Sequence, residues 1–300
     1  MLTLPRRALA AALLAAPAAG RADGGGMRRE LWSDPDRGRD LPVLLRLPHG
    51  ARPPHPLVLL SHGLGGSREG LAYLGEALAE AGMIALHLQH PGSDVALWGD
   101  PAALRAAAAD PQVALARLQD GRFALDRALA SLPADPLRIA AAGHSFGAWT
   151  VQHWLGQRGL PGLPLPPEPR IRAGIALSPV PPRRLSPAWA MAGVDRPLLH
   201  VTGSRDSSPL EETTPEQRTL LFRHTPDGVP AALLWLAGAG HMDFAGVGAV
   251  GAAFRPRIAL AAVLFLRAVL QGDQQARGRL LAGLPGLLRE GDRLETRALA

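Results

Sequence analysis

The stretch RIAAAGHSFGAWTVQHWLGQ, residues 138–157, decides the expected fold. It begins with an apolar run, passes through the pattern Gly-x-Ser-x-Gly at 143–147, and continues with apolar residues at helical spacing. The two glycines leave out Cβ atoms that would collide with neighbouring backbone in a sharp strand-to-helix turn, and the helix that follows points its N–H groups at developing negative charge. The sequence therefore predicts Ser145 as a nucleophile; the alternative is a glycine-rich turn whose hydroxyl only caps a helix.

Apolar runs and helical stretches alternate on both sides of this turn. The predicted strands are short and mostly continuous in their apolar character, and they cover residues 30–33, 40–47, 57–60, 83–88, 138–142, 171–177, 198–201 and 231–236. The predicted helices cover residues 68–81, 101–132 with a break near Pro111, 144–157 and 257–270. Two stretches rich in proline, 159–170 and 178–194, are predicted as loops. This alternation predicts an α/β fold with a mostly parallel central sheet and helices on both faces.

A general base is expected downstream of the nucleophile, because the order in this kind of site is serine, acid, histidine. Four histidines follow Ser145: His153, His200, His224 and His241. His153 lies within the helix after the nucleophile, His200 inside a strand and His224 in a polar segment. Only His241 follows the last predicted strand through a Gly-Ala-Gly turn, where the backbone can bend enough to bring an imidazole over the serine. We therefore predict His241 as the base.

The acid of the site should follow a strand between the serine and the histidine. Asp206 follows the predicted strand at 198–201 and a glycine turn, so it lies at a carboxyl end of the sheet. Its role would be to fix the His241 tautomer and stabilise the imidazolium. The alternative is that Asp206 caps the Ser-Ser-Pro turn after it. Asp195 is the reserve candidate for the acid, and Asp243 is too close in sequence to the histidine.

A second glycine-rich turn, HGLGG at 62–66, follows the predicted strand at 57–60. Such a turn can direct a backbone N–H into the site. We predict Leu64 as one oxyanion donor, with Gly63 as the alternative, and Phe146, the residue after the nucleophile, as the other. The alternative reading is an ordinary strand-to-helix turn that stabilises no oxyanion.

Composition narrows the classes of function. The net charge is +6, every one of the 32 cationic residues is arginine, and these are scattered rather than clustered, so nucleic-acid binding is not expected. A membrane-surface protein rich in cations is a weaker alternative. The chain has no cysteine, which excludes disulfides, thiolate metal sites and a cysteine nucleophile. Neither a metal ion nor an organic cofactor is predicted, and the sequence does not indicate an oligomeric state.

The N-terminus has the pattern of an export signal. Arg6-Arg7 precedes a short apolar run and then small residues, so residues 1–22 are predicted to be a signal peptide cleaved after Ala19 or Ala22. The paired arginines favour the twin-arginine route, although Pro5 departs from its usual pattern. The apolar run is too short to span a bilayer. A periplasmic or secreted protein is expected, with a linker at 23–29, an enzyme domain at 30–270 and a helical or mobile tail at 271–300.

Three motifs together resemble a known family: LLSHGLGGSREG at 59–70, HPGS at 90–93 and GHSFG at 143–147. They look like those of bacterial "predicted dienelactone hydrolase" proteins, which are similar to platelet-activating-factor acetylhydrolases of the α/β-hydrolase fold. The resemblance implies a carboxylic-ester hydrolase with no metal or organic cofactor over about residues 30 to 270. True dienelactone hydrolases use a cysteine nucleophile, which this chain lacks. The acetylhydrolases place their acid where this chain has Ser178-Pro179, which again favours Asp206.

The expected reaction is hydrolysis of a small or lipid-like carboxylic ester through an acyl-serine intermediate. His62, His90 and Trp98 are predicted on the pocket side of the sheet, and residues 96–118 are a candidate cover over it. Alternatives are the same fold acting on thioester, amide, lactone or polyester bonds, and an exported binding protein that kept the fold without catalysis.

Overall fold

The central feature of the protein is a nine-stranded sheet, seen in a computed structural model that describes residues 26–159, 167–182, 185–208 and 213–299. The strands are β1 Met27–Asp34, β2 Arg39–Arg46, β3 His55–Ser61, β4 Ile84–Leu88, β5 Ala134–His144, β6 Ala173–Leu177, β7 Leu198–Arg205, β8 Ala231–Gly240 and β9 Arg293–Arg297. The helices are α1 Ala72–Glu80, α2 Pro101–Ala109, α3 Pro111–Ser131, α4 Phe146–Trp154, α5 Pro187–Met191, α6 Pro215–Arg223, α7 Arg255–Gln271 and α8 Gln274–Leu281.

The sheet has the spatial order β1-β2-β4-β3-β5-β6-β7-β8-β9. The six consecutive strands β4, β3, β5, β6, β7 and β8 are parallel to one another. At one end β1 pairs antiparallel with β2 and β2 with β4, and at the other end β9 pairs antiparallel with β8. In a parallel block every strand ends at the same edge, so the loops after β3, β5, β7 and β8 meet there. This edge holds every residue that the sequence predicts to be catalytic.

Side chains of the inner strands alternate between two cores, one on each face of the sheet. In β3, Val58 and Leu60 face one core, while Leu57 and Leu59 face the other. Leucines of α1 and the apolar face of α7 complete the first core, and α3 and α4 complete the second. Both faces are therefore buried, which explains the continuous apolar runs in the sequence. The prediction of a mostly parallel sheet covered by helices on both faces is confirmed.

The structure adds elements that the sequence pattern does not predict. Helix α5 lies inside the stretch 178–194, which is predicted as a loop, and α6 has no counterpart among the predicted helices. The first strand begins at Met27, within the predicted linker at 23–29. The tail at 271–300 contains α8, but it also contains β9, which pairs with β8 rather than forming only a helix or a mobile end. The predicted signal peptide lies outside the described residues.

Polar contacts fix this C-terminal strand to its neighbours. The Arg297 guanidinium donates to the carbonyl oxygens of Phe222, Arg223 and Thr225 at the end of α6, at 3.0 to 3.2 Å. Just before β9, Asp292 accepts the backbone N–H of Ala237 in β8 at 2.9 Å. The strand is thus bound to both β8 and α6.

No helix in the described part of the chain is long and apolar enough to cross a membrane.

Candidate active site

The nucleophile candidate stands at a strained turn between β5 and α4. Ser145 has φ 53° and ψ −116°, an unusual backbone conformation for a residue with a side chain. Its N–H donates to the carbonyl oxygen of Leu177 at the end of β6, at 2.9 Å. The turn is therefore anchored to the neighbouring strand, and the serine lies at the sheet edge with α4 starting at the next residue. This is the strand–turn–helix setting that the motif requires.

The glycines around the serine are needed for space. A Cβ on Gly143 would overlap the backbone of Gly147, and a Cβ on Gly147 would overlap the carbonyl oxygen of Ser61 in β3. The turn thus packs backbone against backbone, with no room for a side chain at either position. This contact also places the start of α4 directly against the end of β3, which leads into the second glycine-rich turn.

Three side chains that are far apart in the sequence meet at this edge. The Oγ of Ser145 is 3.0 Å from Nε2 of His241, and Nδ1 of His241 is 2.9 Å from Oδ1 of Asp206. A carboxylate only accepts hydrogen bonds, so Nδ1 carries the proton and Nε2 presents a lone pair to the serine hydroxyl. The structure therefore brings together the three residues predicted as nucleophile, base and acid, in the tautomer that general-base action requires.

The register between β7 and β8 explains why the acid and the base lie side by side. The pairing continues past an irregularity until Arg205 lies opposite Gly240, the last residues of the two strands. The next residues along the chain are Asp206 and His241. Close approach is possible because Gly203 has no side chain: a Cβ there would fall within 2.6 Å of Ala239. The pairing of two parallel strands thus delivers both groups to one place.

Asp206 is fully buried and ionised in a polar cage. Thr202 Oγ1 donates to its Oδ2 at 2.8 Å, and Arg218 Nε lies 3.0 Å from its Oδ1. Burial opposes ionisation, but the hydrogen bond from His241 and the positive charge of Arg218 outweigh it, so the pKa of Asp206 lies below its usual value. The carboxylate therefore stays charged at neutral pH and can stabilise a protonated imidazole.

A further histidine supports the base from the nucleophile turn. His144 Nε2 lies 2.9 Å from the carbonyl oxygen of His241, and because a carbonyl only accepts, Nε2 carries the proton. Burial, followed by the proximity of His241, lowers the pKa of His144 to about 3, so this ring is neutral. His144, which directly precedes the nucleophile candidate, thus holds the backbone of His241 in place.

The predicted oxyanion donors border the same cavity as the serine. Leu64 and Phe146 both line it, together with Ser145 and His241. Among the described residues, the backbone N–H groups of Leu64 and Phe146 donate to no acceptor in the protein, whereas the N–H of Gly65 donates to the carbonyl oxygen of Ser93. Both N–H groups are therefore available to an incoming oxygen. The alternative donor Gly63 also lines the cavity.

The cavity itself has a volume of about 1340 Å³ and a predominantly apolar wall. His62 and Trp98, two of the three predicted pocket residues, line it. Trp98 is 69% exposed and donates its indole N–H to the carbonyl oxygen of Gly65. Part of the predicted cover also borders the cavity: Ala108, Ala109, Asp110, Pro111 and Ala114.

His90 is a correction to the predicted pocket. It is completely buried and does not line the cavity. Its ring bridges Ser61 and Asp120 at 3.0 Å each, because the end of β4 carries it into the space between the sheet and α3. A position just after a strand predicts a pocket residue, but a side chain there can also turn inward toward the core, as that of His90 does.

Sequence reasoning missed two buried arginines near the site, Arg117 in α3 and Arg218 in α6. Scattered arginines in an arginine-rich chain give no signal of burial. A signal for α6 was nevertheless present: Thr214 caps the helix, Pro215 follows it, and Gln217 completes a capping box. Within the described residues, no group of three or more histidine, aspartate or glutamate side chains is arranged to hold a metal ion.

Comparison with known proteins supports the fold. No protein-family model matches the sequence, and no curated protein does. Among solved structures, puromycin hydrolase is similar with a TM-score of 0.60 and 20% identity, over 82% of this chain and 39% of that one. A puromycin-hydrolyzing peptidase of Mycobacterium tuberculosis is similar with a TM-score of 0.59 and 19% identity, over the same shares of the two chains.

The similarity at this level of identity concerns the fold, and the chain has the α/β-hydrolase fold. It spans about two fifths of the length of these neighbours.

Proposed function

We propose that the protein is a serine hydrolase whose nucleophile is Ser145, whose general base is His241 and whose acid is Asp206. One observation carries the proposal: a serine hydroxyl at a strained turn lies 3.0 Å from an imidazole whose other nitrogen is 2.9 Å from a buried carboxylate. Perturbed groups converging on an apolar cavity are the usual mark of an active site. A structural role alone would not require the unusual backbone of Ser145.

The reaction would be acyl transfer to water. Ser145 Oγ attacks the substrate carbonyl carbon while its proton passes to His241 Nε2, and the negative oxygen binds the N–H groups of Phe146 and Leu64. Collapse of the tetrahedral intermediate breaks the bond to the leaving group, which takes the proton from His241. Water then attacks the acyl-serine and gives its proton to His241, and the carboxylic acid leaves as Ser145 is restored.

We favour a carboxylic ester as the bond that is cleaved. The motifs at 59–70, 90–93 and 143–147 resemble those of predicted dienelactone hydrolases and acetylhydrolases, which supports an ester. The cavity wall supports a small or lipid-like acyl group, since Val95, Trp98, Val180 and Met242 contribute apolar surface to it. No metal or organic cofactor enters this mechanism.

An amide is the second candidate bond, and the structural neighbours favour it. The names of those neighbours describe a puromycin hydrolase and a puromycin-hydrolyzing peptidase. In amide cleavage His241 must donate its proton to the leaving nitrogen, because an amine leaves only after that nitrogen is protonated. The same three residues would act, so the difference lies in how the cavity holds the leaving group.

Matched chromogenic substrates distinguish the two bonds. Nitrophenyl esters and nitroanilides of the same acyl groups, in a series of increasing chain length, are compared on the purified protein. The expected result is turnover of esters with a marked preference over the anilides, and its loss in Ser145→Ala. The control is Ser131→Ala, an exposed serine at the end of α3, which should retain full activity. Equal turnover by Ser145→Ala and wild type would contradict the proposed nucleophile.

A fluorophosphonate probe tests the non-catalytic alternative directly. Covalent labelling of wild type but not of Ser145→Ala shows an activated serine, irrespective of the natural substrate. A binding protein that kept only the fold would show no labelling in either form.

Export through residues 1–22 is part of the same proposal. It is supported by the paired arginines at 6–7 and the short apolar run after them. Expression of the whole chain in a bacterium should place it in the periplasm or medium, and mass spectrometry should show cleavage after Ala19 or Ala22. An uncleaved chain retained in the cytoplasm would contradict it.

A further inference from the structure

A completely buried arginine lies behind the loop that carries Leu64. Arg117 comes from α3, and its guanidinium has no exposure to solvent. It donates four hydrogen bonds at 3.2 Å or less, to Ser61 Oγ, Ser93 Oγ, Thr150 Oγ1 and the carbonyl oxygen of His62. Burial lowers the pKa of Arg117 to about 9, which still leaves it charged at neutral pH. A buried cation held by so many acceptors is fixed in orientation.

One of these bonds determines the direction of a peptide group. In a planar trans peptide the C=O and the next N–H point in opposite directions. Because Arg117 binds the carbonyl oxygen of His62, the N–H of Gly63 is turned to the opposite side of that peptide plane. Gly63 packs directly beside the nucleophile, since a Cβ on it would stand 3.4 Å from the Cβ of Ser145.

The following peptide group is held in the same way. His62 Nδ1 donates to the carbonyl oxygen of Gly63 at 2.6 Å, and this fixes the direction of the Leu64 N–H. The His62 ring is held in turn because its Nε2 accepts the backbone N–H of His90 at 3.0 Å. The N–H of Gly63 thus belongs to a peptide whose carbonyl oxygen binds Arg117, and the N–H of Leu64 to a peptide whose carbonyl oxygen binds the His62 ring. Both candidate donors on this loop are therefore fixed in direction.

Arg117 also contacts the residue that supplies the other donor. Its Cζ lies 4.4 Å from the centroid of the Phe146 ring, a cation–π contact. Thr150 Oγ1, which accepts a hydrogen bond from Arg117, donates to the carbonyl oxygen of Phe146 at 2.8 Å. One guanidinium therefore supports the loop after β3 and the first turn of α4 together.

A buried relay keeps the acceptors of Arg117 in place. Burial opposes the ionisation of Asp120, but the hydrogen bond from His90 and the hydrogen bond and charge of Arg39 outweigh it and lower its pKa. Asp120 therefore accepts from His90 Nδ1 at 3.0 Å, which leaves His90 Nε2 to accept the Ser61 hydroxyl at 3.0 Å. The lone pairs of Ser61 are then free for Arg117. Arg39, the first residue of β2, donates to the same carboxylate.

We propose that Arg117 is a positioning residue that orients both sides of the oxyanion hole, the Gly63–Leu64 loop and the first turn of α4, through a single buried guanidinium. The inference rests on the proposed function of Ser145. Arg117 does not line the cavity, so it acts through the residues it holds and not on the substrate. A charge fixed behind the hole also adds to the field that a developing oxyanion meets.

The test compares Arg117→Met and Arg117→Lys with wild type. The matched control is Arg257→Met, which removes another buried arginine that is paired with Asp292 and does not line the cavity. We expect Arg117→Met to lower kcat for nitrophenyl acetate by about 10- to 100-fold with KM changed less than about 3-fold. Arg117→Lys keeps the positive charge but lacks the planar guanidinium with its several donors, so its kcat should lie between those of wild type and Arg117→Met. The control should lose stability but keep kcat.

A trifluoromethyl ketone separates a positioning role from a structural one. Ser145 adds to its carbonyl to give a tetrahedral oxyanion, so its affinity depends on how well the oxyanion hole binds that oxygen. The inhibition constant should rise in Arg117→Met by the same factor as kcat falls. Unchanged affinity beside a reduced kcat, or an unchanged kcat in a folded Arg117→Met, would overturn the proposal.

The kinetics of Ser61→Ala and a crystal structure of a variant test the role of Arg117 even if Arg117→Met does not fold. If Arg117→Met does not fold, Ser61→Ala removes one acceptor of Arg117 and should give a smaller loss of kcat, about 3- to 10-fold, with the same loss of inhibitor affinity. A crystal structure of Arg117→Lys, which lacks the guanidinium that binds the His62 carbonyl oxygen, should show a rotated His62–Gly63 peptide. If the His62–Gly63 peptide does not move, the inference about Arg117 is overturned, whether or not the wild type hydrolyses esters. Absence of ester hydrolysis by the wild type would contradict the proposed function instead.

Discussion

Arg218 Nε lies 3.0 Å from Asp206 Oδ1, and neither side chain is exposed to solvent. The same guanidinium donates to the carbonyl oxygens of Ser178 and Pro179, beyond the end of β6. Arg218 therefore connects Asp206, which follows β7, to the end of the neighbouring strand β6. Helix α6 thus supplies the cation that lies against the Asp206 carboxylate.

Replacing Arg218 by Met should impair both stability and catalysis. Loss of one partner leaves a buried carboxylate uncompensated, which costs about 3–5 kcal/mol of unfolding free energy. It should also release Asp206 from its orientation, and we expect kcat to fall about 10- to 100-fold with little change in KM. Urea unfolding and ester kinetics measure the two effects. Arg257→Met should lose stability alone; an equal loss of kcat there would show that destabilisation is the whole cause.

Replacing Asp206 by Asn tests the tautomer of the base. The amide can present its N–H to His241, so Nε2 would carry the proton and lose its lone pair toward Ser145. We expect kcat to fall by about 10³–10⁴ while the fold is retained. Steady-state kinetics measure the loss, and circular dichroism checks the fold. Asp195→Asn, in the reserve candidate, should leave kcat unchanged, because its exposed side chain pairs only with Arg196.

Replacing Gly147 by Ala should disrupt the nucleophile turn. The added Cβ would overlap the carbonyl oxygen of Ser61, and two backbones would have to move apart. Overpacking of this kind costs about 1–3 kcal/mol, and the displaced turn should also reduce kcat. The control is Gly278→Ala in α8, where a Cβ meets nothing within 4 Å and should raise stability by about 0.5–1 kcal/mol. Thermal unfolding of both variants decides the point.

Buried neutral histidines should make the fold sensitive to mild acid. Burial lowers the pKa of His87 and His90 to about 4 and of His144 and His200 to about 3. The unfolded histidine binds a proton near pH 6.5, so the unfolded state takes up more protons below that pH. Stability is therefore complete above about pH 6.5 and is lost as the pH falls toward 4, by about 1.4 kcal/mol per unit for each such residue.

His200→Leu isolates one of these contributions. Neither ring nitrogen of His200 has a hydrogen-bond partner among the residues that the structure describes. Leucine should therefore raise stability at pH 7 by about 1 kcal/mol and reduce the acid slope by one proton. Urea unfolding between pH 5 and 7.5 measures both quantities. A variant whose stability falls with pH as steeply as that of wild type would contradict the assignment.

Much of the site could be predicted because it is built at strand ends. An apolar run followed by a glycine turn marks where a strand stops, and parallel strands stop at one edge. This places Ser145, Asp206 and His241 together without any knowledge of contacts. The glycine pattern around Ser145 adds the turn geometry, and the structure has these groups within hydrogen-bond distance.

The remaining features depend on tertiary packing, which single-residue patterns do not record. Arg117 and Arg218 are buried because acceptors from several separate segments happen to surround them, and nothing near them in sequence indicates this. The sequence predicts His90 in the pocket, but its side chain is buried, because a residue after a strand can turn inward as well as outward. Strand β9 is five residues long, RLETR, and four of the five are polar, so its conformation depends on pairing with β8.

The attachment of the C-terminal strand has a practical consequence for anyone who re-engineers this chain. Strand β9 binds β8, which ends one residue before His241, and Arg297 binds the end of the helix that bears Arg218. Trimming or displacing residues 293–297 would loosen two supports of the base and the acid at once, although no atom of the strand lies in the cavity. Proteolytic cleavage there is thus expected to lower the proposed hydrolase activity without touching the cavity. A fusion partner joined after Leu299 needs a linker long enough to leave this pairing intact.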